Sequence, residues 1–375
     1  MQNKFFPEIH NKFGFGCMRL PVDENKNVIM EKVCEMFDLY LERGFNYFDT
    51  AHGYLSEQSE IAVRECLTKR YPRDRYILTN KLSGQYFKTE ADIRPLFQKQ
   101  LEACGVDYFD FYLMHAQSSS NYPHYKECRA YETAFELKKE GKIRHVGISF
   151  HDTREMLDKI LTDYPEIEAV QIQFNYLDYD SPTTQSKACY DVLVKHNKPV
   201  IVMEPVKGGT LVNLPDEARK ILADLNGGSP ASYAIRFVAG FDQIMMVLSG
   251  MGSLEMVDDN TTFMSDFKPL NDKEQEAVSK VVDIYKRMNA IPCTACRYCT
   301  DGCPMGIRIP DIFAAYNNRK LFRDWNAASF YRTFTKDSSP ADCIQCGQCE
   351  SICPQQLNII ELIQQVREEF ESAAH

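Results

Sequence analysis

Short apolar runs recur about every 30 residues through the first 265 or so positions: GFGCMRL, FNYFDT, YILTNK, YFDFYLMH, IRHVGIS, AVQIQF, PVIVMEP and QIMMVLS. Each has the length and the β-branched or aromatic content of a buried strand. Between them lie longer stretches whose apolar positions follow the helical period. VIMEKVCEMFDLYLERG ends in Gly44 and DIRPLFQKQLEACG ends in Gly105, so each carries glycine where a helix terminates. Eight strand-helix units in about 250 residues predict a (β/α)8 TIM barrel, with a doubly wound sheet as the competing arrangement. No run of G-x-G-x-x-G follows a strand with an acid about twenty positions on, so a Rossmann site has no support.

The alternation stops near residue 268. The sequence therefore predicts two domains, a barrel over 1–268 and a helical linker with a small, mainly helical domain over 269–375. In the latter, PDIFAAYNNRKLF and ASFYRTF read as short helices, and LNIIELIQQVREEFESAA as a closing helix with apolar residues at 357, 359, 360, 362, 363 and 366.

Composition removes some function classes. The chain has 375 residues, 44% of them hydrophobic and 26% charged, which is ordinary for a globular protein and excludes disorder. A formal charge of −10, from 43 basic and 53 acidic residues without a strong basic patch, argues against nucleic acid or an anionic membrane as partner. The opening MQNKFFPEIHNKFGFGCMRL has no export signal, and eighteen apolar residues never run together, so a cytoplasmic location is expected.

Eight of the fourteen cysteines fall in the last quarter, in two copies of C-x2-C-x2-C-x3-C-P: Cys293, Cys296, Cys299 and Cys303, then Cys343, Cys346, Cys349 and Cys353. Three thiolates at that spacing can wrap one corner of an iron-sulfur cubane, while the fourth, before proline, points to a neighbouring cluster. Two 4Fe-4S clusters are expected. Paired all-cysteine zinc sites are the alternative, but they have no use for the third and fourth cysteine of each run. The pattern resembles two-cluster ferredoxins, and the long insert between the runs resembles their all-helical form in respiratory reductases. That resemblance implies crossed ligation: Cys293, Cys296, Cys299 and Cys353 on one cluster, and Cys343, Cys346, Cys349 and Cys303 on the other. The six scattered cysteines read as small buried hydrophobes.

Chemistry in a TIM barrel gathers where strands end. Asp49 closes the second strand, Tyr54 follows it, Lys81 closes the third and His115 the fourth. Any one of these could be a solvated or core residue, but four on three consecutive strands at one rim point to a site. FDTAHGY, TNK and YLMHA resemble the Asp, Tyr, Lys and His motifs of the aldo/keto reductases, over about Phe13 to Asn260. The resemblance implies that Tyr54 donates a proton to the substrate oxygen as hydride arrives at carbon, its pKa lowered by Lys81. Asp49 would orient Lys81, and His115 would orient the substrate carbonyl or assist proton delivery.

The resemblance also implies an NAD(P)H site. Ser149 after the fifth strand and Gln171 in the sixth would hold the carboxamide, with Asn175 on the same rim. Lys207, in the run Glu204-Pro205-Val206-Lys207-Gly208-Gly209, would lie over the pyrophosphate. Gly250, Gly252 and Ser253 would open a phosphate-binding helix, and Asn260 would contact adenine. LSGMGSLEMVDDN lacks the basic residue that grips the 2′-phosphate in NADPH-preferring members, which leaves NADH, or no nicotinamide, in view.

Nicotinamide delivers electrons in pairs whereas each cluster carries one, so a converter is implied: a flavin, a ferredoxin or flavodoxin partner, or a substrate reducible in single-electron steps. The leading expectation is a reductase of a small carbonyl or related molecule. A non-catalytic barrel serving as an electron-transfer or binding module is one alternative, and clusters of purely structural use are another.

Overall fold

The computed structural model describes residues 3–181, 184–225, 227–288, 290–322 and 327–371. Eight parallel strands close into a barrel in sequence order. They are β1 (Phe13–Gly16), β2 (Tyr47–Asp49), β3 (Ile77–Leu82), β4 (Phe109–Gln117), β5 (Ile143–Phe150), β6 (Ala169–Gln173), β7 (Val200–Met203) and β8 (Ile244–Ser249). All eight expected apolar runs form strands, and the barrel is the expected one. The first run splits, because the chain leaves β1 at Gly16 and makes a 3-10 turn over Cys17–Arg19.

Strands this apolar on both faces need cover on both. Outside, helices such as Met30–Glu42 and Glu90–Cys104 supply it. The second ends at Gly105 with φ 68, a left-handed position that glycine adopts without a Cβ penalty. Inside, the N-terminal segment plugs the base: Phe6 and Ile9 pack on Tyr47, Ile77, Phe111, Ala169 and Ile201. Asn3 Nδ2 donates to the Met245 carbonyl at 2.7 Å. A filled base leaves the opposite rim, at the strand C-termini, as the end available for chemistry.

By internal contacts the chain forms two compact units. The first runs to Ser181 and includes Gln185–Pro205 and Ala234–Leu270; the second holds Thr184, Val206–Tyr233 and the described residues from Asn271 onward. The sequence expectation placed one cut at 268/269. The second unit also takes in Val206–Tyr233 because its helix Asp216–Ala223 packs on the helix Asp272–Met288, where Tyr285 donates to the Thr210 carbonyl at 2.6 Å and Arg287 pairs with Glu217.

Among its described residues the second unit is helical without strands. The expected helices appear as Ile309–Phe322, Ala327–Phe334 and Ile359–Glu371, and residues 372–374 of the expected closing helix lie outside the described residues. Ile307, Ile312, Phe313, Tyr331, Ile363 and Val366 form its core, to which Cys299 and Cys349 also belong. No helix among the described residues is long and apolar enough to cross a membrane.

Candidate active site and cluster sites

The barrel rim gathers the four expected side chains. Lys81 Nζ lies 2.5 Å from Asp49 Oδ1 and donates to the Thr50 carbonyl at 2.8 Å. Both members are buried, Lys81 fully, and breaking such a pair leaves an uncompensated charge at a cost of about 3–5 kcal/mol. The Tyr54 ring sits over this pair, 4.9 Å from Lys81 Nζ to its centroid, and faces the His115 ring edge-on at 6.0 Å. Leu55, Ser56 and Glu57, directly after Tyr54, all adopt positive φ of 53, 55 and 69. Three consecutive non-glycine residues in that region are strained, and such strain persists where the surroundings impose it, as functional sites do.

The electrostatics correct one expectation. Lys81 was expected to lower the Tyr54 pKa, but the phenol lies well above its ordinary value, raised first by burial and then by the Asp49 carboxylate. Lys81 spends its charge on Asp49 and meets the ring face, so its field at the phenol oxygen is largely cancelled. Burial likewise raises the Asp49 carboxyl, against the pull of Lys81, and its Oδ2 has no hydrogen-bond partner. Burial, with Lys81 and then His151, holds His115 well below its usual value, so the imidazole is neutral. Its Nδ1 lies 2.6 Å from Ser83 Oγ. If that hydroxyl donates, Nε2 carries the ring proton and is the donor toward the site.

A buried clamp that the sequence reading missed fixes Lys81 from behind. Gln100 Nε2 donates to the Lys81 carbonyl at 2.9 Å, and the Asn80 side-chain oxygen accepts from the Lys81 amide at 2.8 Å. Glu60, fully buried, accepts from Asn80 at 2.8 Å and lies 2.7 Å from His52 Nδ1. Buried polar groups on helices behind a strand invite such bonds, but their partners are set by tertiary packing and not by spacing.

The expected dinucleotide residues fall into two groups. Ser149 and Gln171 are register partners on β5 and β6, Ser149 lying within its strand, where its Oγ accepts from the Ala116 amide at 2.7 Å. Ser253 caps the helix Leu254–Ser265 by accepting from the Met256 amide, and Asn260 donates to Ser249 Oγ at 3.1 Å. Asn175 donates to the carbonyl of Glu204 at 3.1 Å. Lys207, by contrast, belongs to the second unit.

The β8 loop also gains cations from elsewhere in the chain. The Arg19 stem lies against Gly250, where an added Cβ would come within 3.1 Å of it, and its guanidinium pairs with Glu204 at 3.6 Å. Arg43 pairs with Asp258 and donates to Thr261 and Thr262. Both cations therefore meet carboxylates of the protein itself.

In the second unit the two cysteine runs fold alike. Ala295 and Arg297 have φ of 53 and 68, and Gln345 and Gly347, fifty positions on, have 57 and 77. Each left-handed pair curls its loop so that an amide points back at sulfur: Ala295 N lies 3.4 Å from Cys293 Sγ, and Gln345 N 3.4 Å from Cys343 Sγ. Cys303 lines one cavity together with Cys343, Cys346 and Cys349, whose other walls are apolar. Cys293 and Cys299 feel Cys296 and Cys353, and burial with that mutual repulsion pushes both thiols up to about 12. The fourth cysteine of each run thus keeps company with the other run. Among the described residues no three His, Cys, Asp or Glu side chains converge on a single-ion site. Sulfurs spread around a cavity match the corners of a cubane better than the tight tetrahedron of one zinc ion.

Comparison with known proteins bears on both units. The aldo/keto reductase family matches residues 12–283, and the 4Fe-4S dicluster domain matches residues 292–358. An oxidoreductase of Bacillus subtilis is 28% identical over 214 residues, covering 55% of this chain and 64% of that protein. The NADH-specific methylglyoxal reductase of Escherichia coli is 26% identical over 264 residues, 59% of this chain and 79% of its own length. The crystal structure of an aldo-keto reductase from Klebsiella pneumoniae in complex with NADPH superposes with a TM-score of 0.59 at 20% identity, covering 72% of this chain and 90% of that one.

Proposed function

The chain belongs to the aldo/keto reductase family and carries a C-terminal 4Fe-4S dicluster domain, and from that premise we propose that it reduces a small carbonyl compound at the barrel rim. The observation that carries this reading is the buried Lys81–Asp49 pair under Tyr54, with neutral His115 facing the same ring. Tyr54 keeps its proton at neutral pH and delivers it to the carbonyl oxygen as negative charge develops there. His115 donates from Nε2 to the same oxygen and orients the substrate. Asp49 holds Lys81, and Lys81 holds the Tyr54 ring face.

Bound NAD(P)H supplies the hydride, and Ser149, Gln171, Gly250, Gly252, Ser253 and Asn260 are the residues of the first unit that would hold it. Those residues fit such a group: a glycine loop opens a capped helix, and two polar side chains stand in register on β5 and β6. NADH is the preferred form, because Arg19 and Arg43 are already paired with Glu204 and Asp258 and a 2′-phosphate would compete with those carboxylates. The name of the Escherichia coli relative, an NADH-specific reductase of methylglyoxal, agrees with that choice and with a short carbonyl substrate.

Cys293, Cys296, Cys299 and Cys353 would hold one 4Fe-4S cluster, and Cys303, Cys343, Cys346 and Cys349 the other; such clusters would supply single-electron transfer, with a ferredoxin or flavodoxin as the partner it suits. The free cysteines throughout the chain suit a reducing compartment.

The test is anaerobic purification, iron and sulfide analysis, and stopped-flow mixing with NADH and NADPH in the presence of methylglyoxal. Near eight irons per chain and faster turnover with NADH are expected. Protein without iron and sulfide refutes the cluster assignment, and a Tyr54→Phe protein of undiminished activity refutes the barrel chemistry.

A further inference from the structure

Ser83 follows β3 directly and is 3% exposed. Its Oγ lies 2.6 Å from His115 Nδ1, and among the described residues the hydroxyl has no other hydrogen-bond partner. Two arrangements of the protons fit that distance. In one, Nδ1–H donates to Oγ, and the Ser83 proton is left in the protein interior without an acceptor. In the other, the hydroxyl donates to Nδ1 and the ring N–H sits on Nε2. His115 is half-buried, so an N–H at Nε2 can be met by water or substrate, whereas the Ser83 proton has only the imidazole to receive it. A buried hydroxyl proton with no acceptor is the costlier state, so the second arrangement is favoured. The imidazole is neutral and therefore has a single N–H to place.

The surrounding structure imposes this meeting of serine and histidine. The Tyr125 hydroxyl lies 2.7 Å from the Leu82 carbonyl oxygen and 3.0 Å from that of His115, so it ties the backbone just before Ser83 to the backbone of His115. Its ring packs against the residue just after Ser83: a Cβ on Gly84 would lie 3.0 Å from it. On β4 the register against β5 slips between Met114 and Gln117, and Ala116 has φ 53, a left-handed value for a residue with a Cβ. Ser149 Oγ holds that bulge by accepting from the Ala116 amide. A bulge beside a site re-aims the neighbouring side chain, here His115.

We propose that Ser83 sets the tautomer of His115: its hydroxyl donates to Nδ1 and so makes Nε2 the donor that meets a substrate oxygen. Ser83 is a positioning residue, acting through the imidazole. The inference rests on the carbonyl reduction proposed above and adds a requirement to it. A carbonyl oxygen brings lone pairs and no proton, so a bare Nε2 would repel it and an Nε2–H orients it.

The experiment is NMR of the histidine ring nitrogens in the anaerobically prepared full chain, on wild type, Ser83→Ala and Ser83→Thr, with His115 assigned by the loss of its signals in His115→Gln. Wild type should show His115 protonated on Nε2 and bare on Nδ1. Ser83→Ala should lose that preference and carry part of the proton on Nδ1; its kcat for methylglyoxal with NADH should fall about tenfold while NADH binding stays within a few-fold. Ser83→Thr retains a hydroxyl and should retain the wild-type ring signature, which separates the hydrogen bond from a packing effect. Wild-type His115 protonated on Nδ1, or an Nε2–H signature unchanged in Ser83→Ala, overturns the proposal. Undiminished activity of Tyr54→Phe beside the expected signature overturns the rim chemistry instead and leaves the Ser83 bond in place.

Discussion

At the scale of single residues, burial outweighs the nearby ammonium at the barrel rim and holds the Tyr54 phenol well above its ordinary value. Asp49, Tyr54, Lys81 and His115 were legible because polar groups ending apolar strands stand out against the pattern. The sign of the Tyr54 shift was not, since it depends on burial and on Lys81 being claimed by Asp49. Tyr54→Phe removes the hydroxyl that the proposed reaction uses as proton donor and leaves the ring, so turnover should fall by about 10²–10⁴-fold while NADH binding stays within a few-fold, read by stopped-flow fluorescence. His115 gives a pH prediction. Its folded pKa is held below the ordinary 6.5, so below that pH the unfolded chain takes up a proton that the folded one refuses. The stability present above pH 6.5 is lost as pH falls toward the folded value, by at most about 2 kcal/mol down to pH 5. His115→Gln should flatten that part of the profile in urea unfolding at about pH 7.5 and pH 5. Ser83, Gln100 and Glu60 escaped notice because nothing in local spacing marks a residue whose partner is about twenty or thirty positions away.

At the scale of elements, strands and helices were legible to within a few residues, since two-sided burial makes a parallel strand uniformly apolar. Close approaches between strands were not. Gly147 on β5 faces Ala169 on β6 and Leu113 on β4, and a Cβ there would lie 2.5 Å from the Ala169 carbonyl oxygen and 2.6 Å from a Leu113 methyl. Gly147→Ala should destabilise the barrel by about 1–3 kcal/mol, measured by denaturant unfolding, because a backbone oxygen cannot yield as a flexible side chain can. The β7 exit is a second such case. Its Lys-Gly-Gly run reads as a phosphate loop in sequence, and the fold gathers it with the cysteine loops.

At the scale of the whole molecule, the second unit depends on its cysteines for its packing, because Cys299 and Cys349 are part of its hydrophobic core. Stripping iron with ferricyanide and a chelator should therefore abolish the second unit's protection from amide hydrogen exchange and leave protection over β1–β8 largely unchanged; loss in both at once contradicts this. By itself the sequence determined the eight strands, the barrel, two cysteine runs of one spacing and the rim tetrad, because periodicity and ligand spacing are local and survive without coordinates. Tertiary structure alone decided that Val206–Tyr233 belongs with the cluster unit and that Gly208 is pressed against Thr294. Those outcomes rest on contacts between segments far apart in the chain, whose charges and shapes carry no mark of each other until the fold brings them within reach.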